Sequence, residues 1–437
     1  MLRRQLDRRR RGAGRRQAHG KPGARRGDRG RRGQRPPVPF RQPVRRRPGS
    51  AQHRTGGRPA PPRAVHRAVG QQRVAEATVA RRDETTAPQQ PPPPRRPAQA
   101  PRVLLRGGLG RGAGLVVAAL VLGVVSVLSV LVGNFSVGFA DVIAALDGPA
   151  ESDLDRVVRH VRIPRTVTGL LVGAALGIAG AVMQGLTRNP LAGPGILGVN
   201  AGSALAVVLA MALLGVATVS GYIWFAFVGA AVAAVFVYFL GSLGHGGATP
   251  VKLALAGAAF TALVGAVTTA ITLLDASTLD DFRFWVVGSL TRAGGTDLVI
   301  VTPFIVAGAV AAVVISRALN AIALGDDMAS SLGTKLMAVR AVGALSVVLL
   351  AGAATAVAGP VGFVGLVIPH IARMITGPDY RWLLPWCVLL GPIVLLLADV
   401  LGRVLVAPQQ LQVGIITALA GAPFFLYLVR NRKVPQL

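Results

Sequence analysis

The sequence predicts an all-α integral membrane protein with about ten transmembrane helices. Three observations carry that expectation. The chain of 437 residues is 52% hydrophobic, with 54 glycines and a mean hydropathy of +0.53, a balance that several runs of ~20 apolar residues produce directly. Such runs recur at 112–133, 166–186, 198–217, 221–243, 252–274, 297–316, 339–359, 362–377, 383–402 and 413–429, the eighth being the shortest. Finally, they carry neither the polar face of a soluble amphipathic helix nor the alternation of barrel strands, so helices that satisfy their own backbone are the remaining choice.

Residues 1–100 are a different kind of polypeptide. They hold 28 Lys and Arg against 5 Asp and Glu, a net of +23 out of +30 for the whole chain. The text is low-complexity Arg, Pro, Gly and Gln, as in the runs Arg8 to Arg11 and Pro91 to Pro94. Too little apolar surface is present to offset backbone ordering, so this extension is expected to be disordered. Phe40 is its one aromatic residue, and without a stacking platform or folded module nucleic acid is not an expected partner. An upstream start codon in a GC-rich genome yields such text, and the segment is read as that start-site artefact or as a dispensable tail. No short apolar core follows the basic start, so no signal peptide is visible. Residues 101–437 form the expected ten-helix transmembrane domain.

Taking the first run as outward-going, the inner loops, with the approach to the first span and the C-terminal tail, carry thirteen Lys and Arg, and the outer loops seven. That bias places both termini in the cytoplasm, as an even number of spans requires. The second run opens at Arg162-Ile163-Pro164-Arg165 and breaks at Arg188-Asn189-Pro190 into a Gly/Pro-rich turn. Within it Gly173 and Gly177 form a GxxxG pair, with Gly180 three residues later, spacing that lets helices approach closely in lipid. Between the sixth and seventh runs, 319–335 reads as a short amphipathic pair of helices. Leu319, Ile322, Leu324, Met328 and Leu332 are its apolar residues, Asp326, Asp327 and Ser331 its polar ones, and Gly325 and Gly333 its breaks. The single cysteine, Cys387, excludes a disulfide framework and a cysteine metal site. No nucleotide-binding P-loop, metal-ligand cluster or Ser/His/Asp set is present, so no catalytic, metal or cofactor residue is assigned, and any pumping energy must come from a partner. His370 stands without a second ligand nearby and reads as a packed histidine.

Several longer motifs then appear in order. They are Gly185 to Ala192 (GLTRNPLA) with Pro194-Gly195 and Leu197-Gly198, Trp285 to Leu290 (WVVGSL), and Leu324 to Asp327 with Ser331 to Gly333. Ala358 to Arg373 (AGPVGFVGLVIPHIAR), Leu397 to Asp399, and Val413 to Tyr427 (VGIITALAGAPFFLY) complete the set. From about residue 109 to 430 the chain resembles the FecCD/BtuC-type permeases, membrane subunits of ABC importers for ferric siderophores, haem and vitamin B12. The resemblance implies a type II ABC importer permease fold with ten spans per subunit, agreeing with the count made from hydropathy. One departure is Gly193, where the family commonly has an aspartate.

The resemblance also implies roles. Leu319, Leu324, Gly325, Asp326, Asp327, Met328, Ser331, Leu332 and Gly333 belong to the segment that couples to the ATPase subunit. Arg162, Arg165 and Arg403 match positions that dock glutamates of a substrate-binding protein, a task that suits a bidentate, permanently charged guanidinium. Asp399 lies four residues before Arg403, close enough on a helix to claim part of it. Asn189, Pro190, Leu191, Thr249 and Val251 match places that narrow the inner mouth of the pathway. The expected function is import of an iron-siderophore-type chelate by alternating access, with vitamin B12 or haem as alternative cargo and an ion-coupled secondary transporter as the competing mechanism. The last would need intramembrane acids, and Asp399 is the one that comes near. The implied partners are a second permease copy or paralogue, two ATP-binding subunits that use ATP and Mg, an extracytoplasmic binding protein, and the lipid of a bacterial plasma membrane.

Overall fold

The structure, a computed structural model, describes residues 104–105, 107–133, 137–147, 152–216, 218–244 and 249–430. The first hundred residues, and with them the expectation of disorder, lie outside that set. Every regular element among the described residues is helical. In chain order these are α1 (Gly108–Leu131), α2 (Phe139–Asp147), α3 (Asp153–Val157), a π-helical turn (Val158–Arg162) and α4 (Ile163–Thr187). After a 3-10 turn (Pro194–Leu197) come α5 (Val199–Leu214), α6 (Val219–Ser242), α7 (Pro250–Leu274), α8 (Ala276–Val286) and α9 (Gly295–Val314). The chain continues through α10 (Ser316–Ala323), α11 (Asp326–Ser331), α12 (Leu336–Ala358), α13 (Val364–Thr376), α14 (Tyr380–Val404) and α15 (Val413–Arg430).

All ten apolar runs are helices. Seven helices are long and apolar enough to cross a membrane, α3 and α4 counting as one 35-residue rod from Asp153 to Thr187. The three shorter ones are α5, α13 and α15. Two of these follow irregular backbone. The 3-10 turn precedes α5 with Leu197 and Gly198 buried, and the segment 359–363 precedes α13. Irregular backbone of this kind is tolerated in a membrane protein where other protein covers it. The hydropathy pattern also missed α2 and α8, which lie in loops. Asp275 starts α8 by accepting from the backbone of Ser277 and Thr278, and Ser152 starts α3 with a capping box to Asp155.

α4 is the hub. Eighteen of its 25 residues are buried, whereas α1 buries only Ala118, Val125 and Ser129 of its 24. The reason is the glycine spacing. A β-carbon placed on Gly173 would lie 2.5 Å from the backbone nitrogen of Pro392, and one on Gly177 would lie 2.8 Å from the carbonyl oxygen of Cys387. One on Gly180 would overlap the carbonyl of Gly365. Glycines therefore let the backbones of α14 and α13 rest directly on α4, and van der Waals contact, rather than exclusion of apolar surface from water, holds helices together in lipid.

The motifs WVVGSL, AGPVGF and the start of VGIIT meet at one point. The Ser289 amide donates to the Ala358 carbonyl at 2.7 Å, and the Gly414 amide donates to the Gly288 carbonyl at 3.2 Å. Gly288 and Gly359 both have positive φ, and the carbonyls of Pro360 and Trp285 respectively fill the space a side chain would need. These motifs join the ends of α8, α12 and α15.

Replacing Gly180 by Val should force α4 from α13 and cost about 1–3 kcal/mol. Thermal denaturation in detergent followed by size-exclusion chromatography should show a clear fall in midpoint. Gly193→Ala, at a position where a β-carbon meets nothing within 4 Å, should leave it unchanged.

Candidate functional site

Both ends of α4 carry the predicted residues. At its N-terminal end, Arg165 holds Asp399 of α14 side-on, with Nε 2.9 Å from one carboxylate oxygen and Nη2 2.8 Å from the other. Its Nη1 donates to Oε1 of Gln410 at 2.7 Å. Arg403 reaches the same carboxylate at 3.1 Å, the four-residue pairing anticipated on α14. One aspartate thus serves two guanidiniums, and all three side chains are more than nine-tenths buried. A bidentate arginine–carboxylate pair is a strong interaction, and its desolvation is tolerable only because further donors and acceptors complete the network.

The remaining donors of these arginines go to the C-terminal turn of α1. Arg403 Nη1 donates to the carbonyls of Ser129 and Val132 at 2.8 and 2.6 Å, and Nη2 lies 3.1 Å from Oγ of Ser129. Arg162 Nη1 donates to the carbonyls of Val130 and Leu131 at 2.7 and 2.8 Å. These are the carbonyls that a helix end leaves without intrahelical partners, at the negative pole of its dipole. The two arginines thereby fasten a helix that buries almost nothing else. The sequence placed Arg162, Arg165 and Arg403 at a docking surface. In this structure they are only 4%, 5% and 2% exposed and are engaged inside the chain. The outer residues Arg156 and Asp153 form an exposed pair at 3.0 Å instead.

At the opposite end, the segment 319–335, expected from the resemblance to couple to an ATPase, divides into a buried and an exposed half. Leu319, Ile322 and Ala329 are fully buried, while Leu324, Met328 and Leu332 are 67%, 54% and 63% exposed. Leu319 is therefore an anchor against α4, where its side chain would lie 3.3 Å from a β-carbon on Gly185, and its place is not on the presented face. Asn320, which the sequence gave no reason to single out, fastens the same segment to α14. It donates to Asp379 at 2.7 Å and accepts from the Tyr380 amide at 3.0 Å. Gly325 and Gly333, with φ of 108° and 80°, bracket α11, and Ser331 Oγ donates to the Asp327 carbonyl within it. Asp326 pairs with Arg188 at 3.3 Å and with Arg340 at 2.8 Å.

The turn after α4 starts at Arg188 in the left-handed conformation, φ 48°. Oδ1 of Asn189 accepts from the Leu191 amide at 2.9 Å and its carbonyl accepts from Ala192 at 3.0 Å, so Asn189, Pro190 and Leu191 form a self-bonded turn. Thr249 is the N-cap of α7, accepting from the Lys252 amide, and Val251 lies in that helix's first turn, 69% exposed. Besides α5 and α6, α7 packs against the 3-10 turn, where Gly257 sits against the carbonyl of Ile196. Gly193 is extended with open space beside it, so the missing aspartate alters no backbone geometry. His370 is buried and meets Phe424 edge to face at 6.2 Å, as a packed histidine does.

Together these features define a multi-pass helical membrane protein of the transport-subunit class: a tight bundle, an ionic lock at one end, and a hairpin held out from the bundle at the other. The chain belongs to the FecCD transport family, whose model matches residues 120–431. It is 45% identical over 314 residues to the ferric enterobactin transport system permease protein FepD of Escherichia coli strain K12, covering 72% of this chain and 93% of that one. It is 42% identical to the Fe(3+)-citrate import system permease protein YfmD of Bacillus subtilis strain 168, covering 69% and 90% respectively. A solved metal-chelate type ABC transporter in an inward-facing conformation superposes with a TM-score of 0.64 at 30% identity, covering 73% of this chain and 99% of that one.

Asp399→Asn should leave two buried guanidiniums without a counter-charge and cost ~3–5 kcal/mol. The thermal midpoint in detergent should drop sharply, while Arg156→Gln, which breaks only the exposed pair, should shift stability by no more than about 0.5 kcal/mol.

Proposed function

We propose that the chain is the permease subunit of an ATP-binding-cassette importer that carries an iron-siderophore-type chelate into the cytoplasm. The observation that carries this reading is the 319–335 hairpin. It is anchored by Leu319, Ile322, Ala329 and Asn320, yet it presents Leu324, Met328 and Leu332 outward. Covering each such side chain contributes up to about 1.5–3 kcal/mol, so this ridge supplies a docking contact for a subunit that hydrolyses Mg-bound ATP on the chain's behalf. Similarity to permeases named for ferric enterobactin and ferric citrate supports the cargo class.

The exposed face of α7 supports assembly as a pair. Ala254, Ala258, Ala262, Ala266 and Ala270 recur every fourth residue and are all exposed. By contrast, the exposed face of α1 is bulky, with Val116, Val117, Leu120 and Val124. Small residues suit close contact with another helix, and bulky ones suit lipid. The pathway then runs between two permease copies or a copy and a paralogue, past a face with few groups able to hold the cargo. The inner mouth is narrowed by Asn189, Pro190, Leu191, Thr249 and Val251, and an extracytoplasmic binding protein delivers cargo at the Arg162, Arg165 and Arg403 end. Both termini are cytoplasmic in a bacterial plasma membrane, as the loop charges favour. An ion-coupled mechanism is disfavoured because Asp399, the acid it would use, is committed to two arginines.

Reconstituted with a cognate ATPase and binding protein, the chain should take up ferric siderophore only when ATP is supplied to the cytoplasmic face. Leu324→Asp combined with Met328→Asp should weaken ATPase association at least about tenfold. Uptake driven by an ion gradient without ATP would overturn the reading.

A further inference from the structure

α11 is a six-residue helix with a single buried residue, Ala329. Glycines in positive φ stand at both of its boundaries, Gly325 before it and Gly333 after it. A unit hinged at both ends can be displaced without moving its neighbours, because glycine absorbs the dihedral change. For a push on α11 to reach the bundle, something other than the backbone must carry it.

Asp326 is the side chain placed to do so. Its two oxygens face two different elements: Oδ1 is 3.3 Å from Nη2 of Arg188, and Oδ2 is 2.8 Å from Nη2 of Arg340. Arg188 caps the C-terminal end of α4 and opens the turn containing Asn189, Pro190 and Leu191. Arg340 lies at the start of α12. All three side chains are about one-quarter to one-third exposed. They form a shared network, which costs less side-chain entropy per contact than isolated pairs and is screened less than a fully exposed pair. The neighbouring Asp327 is exposed, so the two adjacent aspartates occupy different surroundings.

We propose that Asp326 is a positioning residue that ties α11 to the turn after α4 and to the start of α12, so that displacement of the hairpin is delivered to the inner mouth of the pathway. The inference rests on the reading of the chain as an ATP-driven permease. A single carboxylate grips the end of the buried hub and the beginning of the helix that follows the hairpin. Movement of α11 then pulls on both, and the turn at Asn189 to Leu191 moves with the hairpin.

The test uses the full transporter in proteoliposomes with its ATPase and binding protein, measuring ferric siderophore uptake and phosphate release in parallel. Asp326→Asn and Arg188→Gln should each lower cargo imported per ATP hydrolysed by about fivefold or more, the lower end of ordinary coupling energies. Phosphate release should persist. The double variant should be no worse than either single, as expected for one shared contact. Arg188→Lys, which keeps the charge, should recover most of the ratio. Three results would overturn the proposal: an unchanged ratio in the single variants, parallel loss of uptake and hydrolysis, or an equal loss of ratio in Arg188→Lys. The second would mean that Asp326 serves only to hold the ATPase in place. Absence of ATP-dependent uptake by the unaltered transporter would instead refute the permease reading itself.

Discussion

Backbone-to-backbone contact between α4 and its neighbours is the constraint on which the bundle depends. In lipid, apolar side chains gain nothing by leaving one hydrocarbon environment for another, so association relies on close packing. Gly173, Gly177 and Gly180 remove the side chains that would prevent it, and Gly391 and Gly365 do the same on the facing helices. A hub with eighteen buried residues follows from this contact, and so does the position of everything fixed to its two ends. Arg162 and Arg165 stand at one terminus of a rod that cannot shift sideways, and Arg188 stands at the other.

The ionic groups complement this packing. Asp399, Arg165 and Arg403 are expensive to bury, yet they join α4, α14 and α1 at a level where glycine contact has ended. α1 shows the need for them, since most of its apolar surface faces outward and, beside its packing on α14, its C-terminal carbonyls are held by arginines. At the opposite end the solution is softer: Asn320, Asp379 and Asp326, whose side chain is one-third exposed, hold the hairpin by polar contacts closer to water.

The ten helical runs were legible because each is apolar, holds at most one Asp, Glu, Lys or Arg and lacks a polar face, and the order of the family motifs fixed what kind of membrane protein they build. The glycine pair was legible as a packing device, but its partners were not: Gly180 meets Gly365, and no local rule connects positions so far apart. For the same reason the sequence revealed the Asp399–Arg403 contact, one helical turn apart, and missed Asp399–Arg165, which spans 234 positions. The arginines read as a docking surface because they match family positions with that role. Their burial depends on α1 folding over them, which the hydropathy of α1 does not announce. Leu319 was grouped with Leu324 by amphipathic spacing, yet the two helices of the hairpin turn at Gly325 and present different faces.

The ratio of charges at the outer end has one more consequence. Two guanidiniums, Arg165 and Arg403, share one carboxylate, so this cluster keeps one positive charge in excess. Hydrogen bonds hold those charges in fixed places, and an acidic surface that comes to this end meets a field already oriented, with no long side chain left to order. Burial turns these arginines from flexible hooks into a rigid electrostatic landmark, its position set by the same bonds that hold α1 in place.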